Sequence, residues 1–423
     1  MRTLGTRGDP TTRCVGEDAI VEMLLASGWV HAVRAGERER ARAGARRALA
    51  RWADAGLPHA PGPAGERRFD PAEVLNFKKR AALAGADDYW PEHCVATARR
   101  LFADLNGDPA RAAWPSRRFD VRFERHFDLA AFEPGVEVRL RAPLPLEGSD
   151  LGALRVDVDA PEGALAPPVC RPGRLEARVR VSGTRRARLA YRASFTATPA
   201  PRAPAPGGAA PVLDAEARAR FTHPAEGFVR GGARTAELAH ALAARRTDPR
   251  DVAAALWAGV IDRMAIGMAH YHEVDPARPA DALLDLGWCD CQLGAALFAT
   301  MCRALGIPAR LVGGYLLYPD APGVHYWAEV WLPDAGWCAY DLQSWELSAG
   351  GRDPAWRDVF AGRVDARMKT QVMPRDVVGP MSVKLPARWL LLPELLPDGA
   401  RIAIVDADTG RTAYADDLAV RAG

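Results

Sequence analysis

The sequence predicts an α+β protein made of several domains, and three observations support that class. The chain has 423 residues, which is more than one hydrophobic core usually serves. Apolar residues follow a helical period up to about residue 116 and alternate as in strands from there to about residue 198. Helical and strand-like segments are mixed beyond that point. We therefore expect a helical region, an antiparallel β domain and a mixed domain, in that order.

The composition limits the function classes. Hydrophobic residues make up 48% of the chain and charged residues 26%, which is ordinary globular usage. A formal net charge of +3 over this length gives no electrostatic reason to expect a nucleic-acid partner. No apolar run approaches the ~18–20 residues of a membrane span, and the N-terminus lacks the apolar segment of a secretory signal. We expect a soluble, cytoplasmic protein with no membrane partner.

The first predicted domain, residues 1–116, is helical. The stretch from Glu17 to Leu57 contains no proline and is rich in Ala, Glu and Arg. Two further helices are predicted from Pro71 to about Leu83 and from Pro91 to Leu105. Asn106-Gly107 is a typical helix end, because both residues tolerate the left-handed conformation that closes one.

The second predicted domain, residues 117–205, is an antiparallel β-sandwich with a proline-rich linker. Short runs of alternating apolar and polar residues, separated by Gly and Pro, are typical of such a fold. The runs are Phe119–Phe123, Val136–Leu140, Leu154–Val158, Leu175–Val181 and Leu189–Phe195. The Pro-, Ala- and Gly-rich stretch Ala197–Pro211 is the predicted linker.

The third predicted domain, residues 206–385, combines helices and strands, and residues 386–423 form a C-terminal β extension. Helical patterns cover Thr235–Arg245 and Asp248–Met268. In the tail, two strands are expected around the turn Asp406–Gly410.

A cysteine begins a buried helix in the third domain. The segment from Cys291 to Leu305 has strong helix formers and almost no polar residue, and Gly306 is a natural helix stop. Asp290 is a suitable N-cap. The unpaired N–H groups of a helix start favour an anion, so a thiol there loses its proton more easily, and the thiolate is the nucleophile.

A histidine and an aspartate follow on two predicted strands, Val324–Leu332 and Trp337–Asp341. His325 can act as a general base and Asp341 can orient it. If Leu332 pairs with Trp337, Asp341 faces away from His325. If Leu332 pairs with Gly336, the two side chains share a face, which the pairing of base and carboxylate requires.

These motifs resemble the transglutaminase-like superfamily, within the papain-like group of Cys-His-Asp enzymes. That superfamily has a Cys that opens a helix ending in R-A-L-G-I-P-A-R, a strand like G-G-Y, then H-x-W-x-E-V and G-W-x-x-x-D. All four occur here in order: Cys291 to Arg303–Arg310, Gly313–Tyr315, His325–Val330 and Gly336–Asp341. The resemblance implies a papain-like/transglutaminase-like catalytic domain, preceded by the antiparallel β-sandwich and the helical region, with a catalytic triad of Cys291, His325 and Asp341.

Three departures from the superfamily pattern bear on the substrate channel. Cys289 adds a second thiol, Tyr326 takes a place where a small residue is usual, and Asp341 is followed by Leu-Gln where proline is frequent. We expect Trp288, Tyr271, Tyr326 and Trp327 to bind substrate, with packing as the simpler role for the aromatic residues. The Cys291 backbone N–H is the expected first oxyanion donor. A side chain of Tyr271, His272 or Trp288 is a candidate second donor.

The resemblance implies cysteine-dependent acyl transfer through a thioester acyl-enzyme, without a cofactor. The acyl donor would be a peptide, a small amide or a carrier-protein thioester, and an amine would accept the acyl group. A cysteine peptidase or amidase and a non-catalytic protein-binding module are the alternatives. A zinc cluster of the cysteines with His325 is disfavoured, because ~1.5 Å per helical residue places Cys302 about 16 Å from Cys291. Cys302 and Cys338 are expected to be core thiols.

Overall fold

The protein has a mixed α/β fold with several antiparallel sheets, seen in a computed structural model. The structure describes residues 14–26, 38–83, 92–111, 113–148, 150–199, 211–268, 274–275, 277–319, 322–344, 356–373, 389–396, 399–406 and 412–423. Across these segments, no helix combines the length and the apolar character that a membrane crossing needs.

The N-terminal region contains four helices and a small sheet. The elements are β1 (Val15–Gly16), α1 (Glu17–Ala26), α2 (Arg38–Asp54), β2 (Ala60–Pro61), β3 (Arg67–Phe69), α3 (Pro71–Leu83) and α4 (Glu92–Asp104). The three strands form an antiparallel sheet of order β1-β3-β2, which the helical pattern did not predict. α3 has the predicted bounds, and Asn106 and Gly107 after α4 are left-handed as expected, with φ of 55° and 69°. Residues 27–37 of the predicted first helix lie outside the described residues.

The next region is made of strands, as the alternating pattern predicts. They are β4 (Arg117–Asp128), β5 (Glu137–Pro143), β6 (Leu151–Asp159), β7 (Val169–Arg171), β8 (Arg174–Arg180) and β9 (Arg186–Ala197). β5, β8 and β7 form one antiparallel sheet, while β4, β9 and β6 belong to a second. Leu140 and Val179 of the first sheet pack in one core with Phe123 and Tyr191 of the second. Most of the predicted linker, residues 200–210, lies outside the described residues.

The third region holds five helices and eight strands in the described chain. They are α5 (Ala215–Thr222), β10 (Ala225–Glu226), β11 (Val229–Arg230), α6 (Ala233–Ala243), α7 (Pro249–Ile261), β12 (Ala265–Ile266), α8 (Pro279–Leu286), β13 (Trp288–Cys289), α9 (Cys291–Ala304), β14 (Ala309–Leu316), β15 (Gly323–Leu332), β16 (Gly336–Tyr340) and β17 (Arg367–Val372). The last four strands form an antiparallel sheet of order β16-β15-β14-β17, and α9 packs against β14 and β15. The helix predicted over Asp248–Met268 ends earlier, because the chain turns after Ile261 into β12, which pairs with β13 in parallel.

The C-terminal tail adds three strands, β18 (Trp389–Leu396), β19 (Gly399–Asp406) and β20 (Thr412–Ala422). They extend the second β sheet to the order β18-β19-β20-β4-β9-β6. The predicted C-terminal extension is therefore part of the same sheet as β4, β9 and β6. Residues 407–410 of the predicted turn Asp406–Gly410 lie outside the described residues.

A buried ion pair within this sheet contacts the third region through a tyrosine hydroxyl. The guanidinium of Arg125 on β4 donates from Nε and Nη2 to the carboxylate of Asp416 on β20, at 2.6 Å each. The hydroxyl of Tyr315 on β14 donates to the same carboxylate at 3.4 Å. Both charged residues are buried, so little water competes for the Tyr315 contact that links β14 to this pair.

A second charged cluster crosses the four-stranded sheet. Glu329 on β15 accepts from Arg310 Nε of β14 at 2.7 Å, and its other oxygen lies 2.8 Å from Lys369 Nζ of β17. Although burial raises the pKa of Glu329, the charges of Lys369 and Arg310 outweigh it and lower the pKa to about 2. This ionised carboxylate ties β15 to β14 and to the edge strand β17.

We expect Glu329→Gln to lower the free energy of unfolding at pH 7 by about 3 kcal/mol, because it breaks a buried ion cluster. A lowered folded-state pKa contributes stability above the ordinary carboxyl value that is lost as pH falls toward the folded value. The difference between wild type and variant should therefore shrink between pH 4.5 and pH 2, which urea unfolding measures. Glu22→Gln is the control, since Glu22 pairs with Arg38 and Arg42 on the surface and should change stability little. An equal difference at every pH would contradict this account.

Candidate active site

Cys291 is the first residue of α9, as the sequence predicts. The side chain of Asp290 caps the helix, with Oδ1 accepting from the Leu293 N–H at 2.8 Å. The helix runs to Ala304, and Gly306 beyond it has a left-handed φ of 73°. Residues from Gln292 to Arg303 are all buried, whereas Cys291 itself is partly exposed. The buried body of the helix thus fixes the position of Cys291, the partly exposed residue at its start.

His325 and Asp341 meet on one face of the sheet. Leu332 pairs with Gly336 and Ala328 with Tyr340, which is the register that the pairing of base and carboxylate requires. The imidazole Nε2 of His325 lies 2.7 Å from Asp341 Oδ2. Both residues are buried, at 3% and 0% exposure. Little water therefore competes for this hydrogen bond.

The Asp341 carboxylate is ionised and saturated with donors. Oδ1 accepts from the backbone N–H groups of Gln343 and Ser344, at 3.0 and 2.9 Å. Oδ2 accepts from the Ser344 hydroxyl at 2.6 Å, from His325 and from Arg367. Burial raises the pKa of Asp341, but the His325 and Arg367 charges lower it well below its usual range. An ionised carboxylate can only accept, so Nε2 of His325 carries a proton in either form of the ring, and in the neutral form Nδ1 is the acceptor.

The Cys291 thiol lies against the strand that carries His325. The backbone N–H groups of Tyr326 and Gln292 both donate toward the sulfur and lower its pKa. Burial, followed by the Asp290 charge, has the larger effect and raises the pKa of Cys291 well above its ordinary value. The expectation that the helix start alone yields a low-pKa thiolate is therefore wrong, because desolvation outweighs the helix dipole. The resting group is a thiol, and it needs a base.

Three polar residues that the sequence did not single out support the aspartate. Ser344 and Arg367 bind Asp341 directly, and Asp365 binds Arg367. Ser344 could have been found, because an Asp followed three residues later by Ser often forms a local side-chain turn. Arg367 could not, because its contact depends on β17 pairing with β14, across an irregularity between Gly313 and Gly314.

The predicted substrate-binding residues have different surroundings. Trp288 on β13 is partly exposed next to the nucleophile. Tyr326 and Trp327 are buried, at 3% and 2% exposure, and so offer a substrate almost no surface. Tyr271 and the neighbouring His272 lie outside the described residues.

Both buried aromatic residues pack within the sheet. The Tyr326 ring lies over Gly313, where a Cβ would come within 2.8 Å of it, so the large residue at 326 is matched by a glycine opposite. The Trp327 ring lies 5.2 Å from the Arg367 guanidinium, a cation–π contact. Packing is therefore the role that these contacts give them.

The N-terminal region contacts the backbone beside Trp288 through α3. Asn76 Nδ2 donates to the Met268 carbonyl at 3.0 Å, and the Met268 N–H donates to Asn76 Oδ1 at 2.8 Å. A Cβ on Gly267 would come within 2.4 Å of Asn76 Oδ1 and 2.8 Å of the Trp288 ring. The Asn76 amide thus bonds the backbone of Met268 as a neighbouring strand would, and it fixes the segment that lies beside Trp288.

The remaining thiols of the third region belong to the core. Cys302 and Cys338 are buried in the cluster around α9, as expected. Burial raises the pKa of Cys338 to about 11 and raises that of Cys302 further. Cys289, the second thiol before the nucleophile, is fully buried, with its sulfur against Gly294.

Residues 236–342 match the sequence profile of the transglutaminase-like superfamily. The chain carries a domain of that superfamily. The matched span contains all of Cys291, His325 and Asp341. No curated protein matches the chain.

Several solved structures are similar at low identity. A candidate cysteine protease from Cytophaga hutchinsonii is 13% identical, with a TM-score of 0.40, over 72% of this chain and 98% of that one. The periplasmic domain of TgpA from Pseudomonas aeruginosa is 20% identical, with a TM-score of 0.33, over 58% of this chain and 94% of that one.

We expect His325→Ala to slow the reaction of Cys291 with iodoacetamide at pH 7 by at least about tenfold, because the thiol loses its base. Peptide mass mapping over time measures the rate at each cysteine. Exposed Cys170 serves as the internal reference and should react equally fast in both proteins. Unchanged labelling of Cys291 would show that His325 does not act on the sulfur.

Proposed function

We propose that this protein transfers an acyl group through a thioester on Cys291, with His325 as general base and acid and Asp341 as the orienting carboxylate. The observation that carries the proposal is the buried 2.7 Å contact between His325 Nε2 and Asp341, on the strands packed against the helix that begins at Cys291. The superfamily match supports cysteine-dependent catalysis. It leaves the choice between an amine and water as acceptor to experiment.

The first half of the proposed reaction forms the acyl-enzyme. Nδ1 of His325 takes the proton of the Cys291 thiol as the sulfur attacks the carbonyl carbon of an amide or thioester. Asp341 stabilises the imidazolium that results. The backbone N–H of Cys291 is the proposed donor to the oxyanion. Collapse of the tetrahedral intermediate expels the leaving group, which takes the proton from the imidazolium, and leaves a thioester.

The second half releases the acyl group. An amine gives its proton to Nδ1 of His325 and attacks the thioester carbonyl, which forms an amide and returns the proton to the sulfur. Water in place of the amine gives hydrolysis, the activity of a peptidase or amidase. We favour the amine because the N-terminal region, through Asn76, packs on the backbone that lies against Trp288 and would help to keep water from the acyl-enzyme. The proposed chemistry needs no cofactor. It requires Cys291 to be reduced, as thiols are in the cytoplasm.

We expect a stoichiometric acyl adduct on Cys291 when the protein meets a suitable donor under single-turnover conditions. Intact mass spectrometry measures it across a panel of peptide amides, small amides and thioesters, including acyl groups on a carrier protein. Cys291→Ala should form no adduct, whereas Cys338→Ala should form it at the wild-type rate. A panel without any adduct on the wild-type protein would reject the catalytic mechanism and favour the binding-module alternative.

The partition of the acyl-enzyme between amine and water identifies the acceptor. If an amine resolves the acyl-enzyme, added primary amines should increase the turnover rate, and the amine should appear in an amide product. Product analysis by mass spectrometry over a series of amine concentrations distinguishes the two cases. A hydrolysed product at every amine concentration would make the protein a peptidase or amidase.

A further inference from the structure

The aspartate of the site belongs to a buried chain of charges that extends away from the nucleophile. Arg367 donates to Asp341 on one side, and on the other it donates from Nη2 and Nε to Asp365 Oδ1, at 2.9 and 3.2 Å. Exposure is 5% for Arg367 and 4% for Asp365. The sequence of contacts is therefore His325, Asp341, Arg367, Asp365, all of it out of water.

The charge of this chain matters because the site must hold a transient cation. With Arg367 alone, the guanidinium would cancel the charge of Asp341 and repel an imidazolium on His325. With Asp365, the three ions Asp341, Arg367 and Asp365 have a net charge of −1. This charge balances the +1 of an imidazolium. The low dielectric of the buried site makes that balance count for more than it would on the surface.

We propose that Arg367 and Asp365 are paired positioning residues: Arg367 holds the Asp341 carboxylate in place, and Asp365 cancels the positive charge that Arg367 brings. The pair thereby sets how readily His325 accepts the thiol proton. The inference deepens the proposed function and rests on His325 being the base.

Other charged and titratable groups of the site belong to several described elements. α9 contributes Cys291 and its cap Asp290, whose charge acts on the thiol and is unchanged in every variant below. Tyr318, just after β14, lies near Asp365 and Arg367, and burial together with the Asp365 charge raises its pKa well above the ordinary value, so it is neutral in the assay range. Asp365 and Arg367 are therefore the charges on which the variants act.

The test follows the rate of Cys291 alkylation by iodoacetamide against pH in the full-length protein. The acid limb of that profile reports protonation of the imidazole, which stops it from accepting the thiol proton. Asp365→Asn leaves the remaining ions with no net negative charge, so the imidazole becomes less basic. The limb should then move to lower pH by about 0.5–1 unit, and the rate at pH 7 should fall about three- to tenfold because the base is weaker. Arg367→Gln keeps an N–H donor but removes the charge, and should move the limb to higher pH.

The double variant, Asp365→Asn with Arg367→Gln, returns the fixed charge to −1 and should bring the limb back to within about 0.3 pH unit of wild type. Glu226→Gln is the matched control, because it removes a buried carboxylate from another ion pair, with Arg303 at 2.7 Å. It should lower the thermal midpoint without moving the limb. A purely structural role for Asp365 and Arg367 would give the same behaviour as this control.

Opposite shifts in the two single variants and recovery in the double variant support the proposal. Shifts in the same direction, no shift, or a double variant displaced further than either single variant would overturn it. If Asp365→Asn does not fold, the shift of Arg367→Gln to higher pH decides alone. Alkylation needs no acyl donor, so a failure to form acyl-enzyme would reject the proposed function without altering this result.

Discussion

The hydrogen bond between His325 and Asp341 depends on the pairing of two strands, and the rest of the site depends on that bond. A shift of one residue between β15 and β16 would turn Asp341 to the opposite face of the sheet. The turn between the strands prevents it: the Ala335 N–H donates to the Leu332 carbonyl at 3.1 Å, and Gly336 follows with a left-handed φ of 76°. This three-residue hairpin sets the register, and Gly336 is the residue that its geometry demands.

The sheet and helix around this bond are held by charge as well as by apolar packing. Glu329 joins β15 to β14 and β17 through Arg310 and Lys369, and the Tyr315 hydroxyl links β14 to the Arg125–Asp416 pair of the β region. Buried ions are costly unless they are fully paired, so these clusters favour one arrangement of the strands over others. The site therefore sits on strands with little freedom to slide.

Local patterns predicted much of the site. Asp290 and Gly306 mark the two ends of α9 in the sequence, and both act as expected. The alternation of apolar and polar residues allows two pairings in the hairpin, and the Pro-Asp-Ala-Gly turn contains the information that chooses between them. The prediction of a lowered pKa for the Cys291 thiol is wrong. The dipole of a helix start can be recognised in a sequence, whereas the burial of one sulfur depends on the whole fold.

Long-range contacts set the limit of sequence reasoning here. Arg367 stands 26 residues after Asp341, and their contact requires a strand pairing that no local motif specifies. The small N-terminal sheet was missed because its strands have two or three residues, too few for an alternating pattern. The C-terminal strands were recognised as strands, but their place beside β4 is a matter of topology.

The amide of Asn76 has a consequence for how small this protein could become. Its two hydrogen bonds satisfy the N–H and the C=O of Met268, which belongs to the third region rather than to the helical region. A fragment that begins after α3 would leave those two backbone groups without their partner. The shortest piece of the chain that keeps the backbone beside Trp288 fully bonded therefore starts before residue 71, far upstream of the superfamily domain itself.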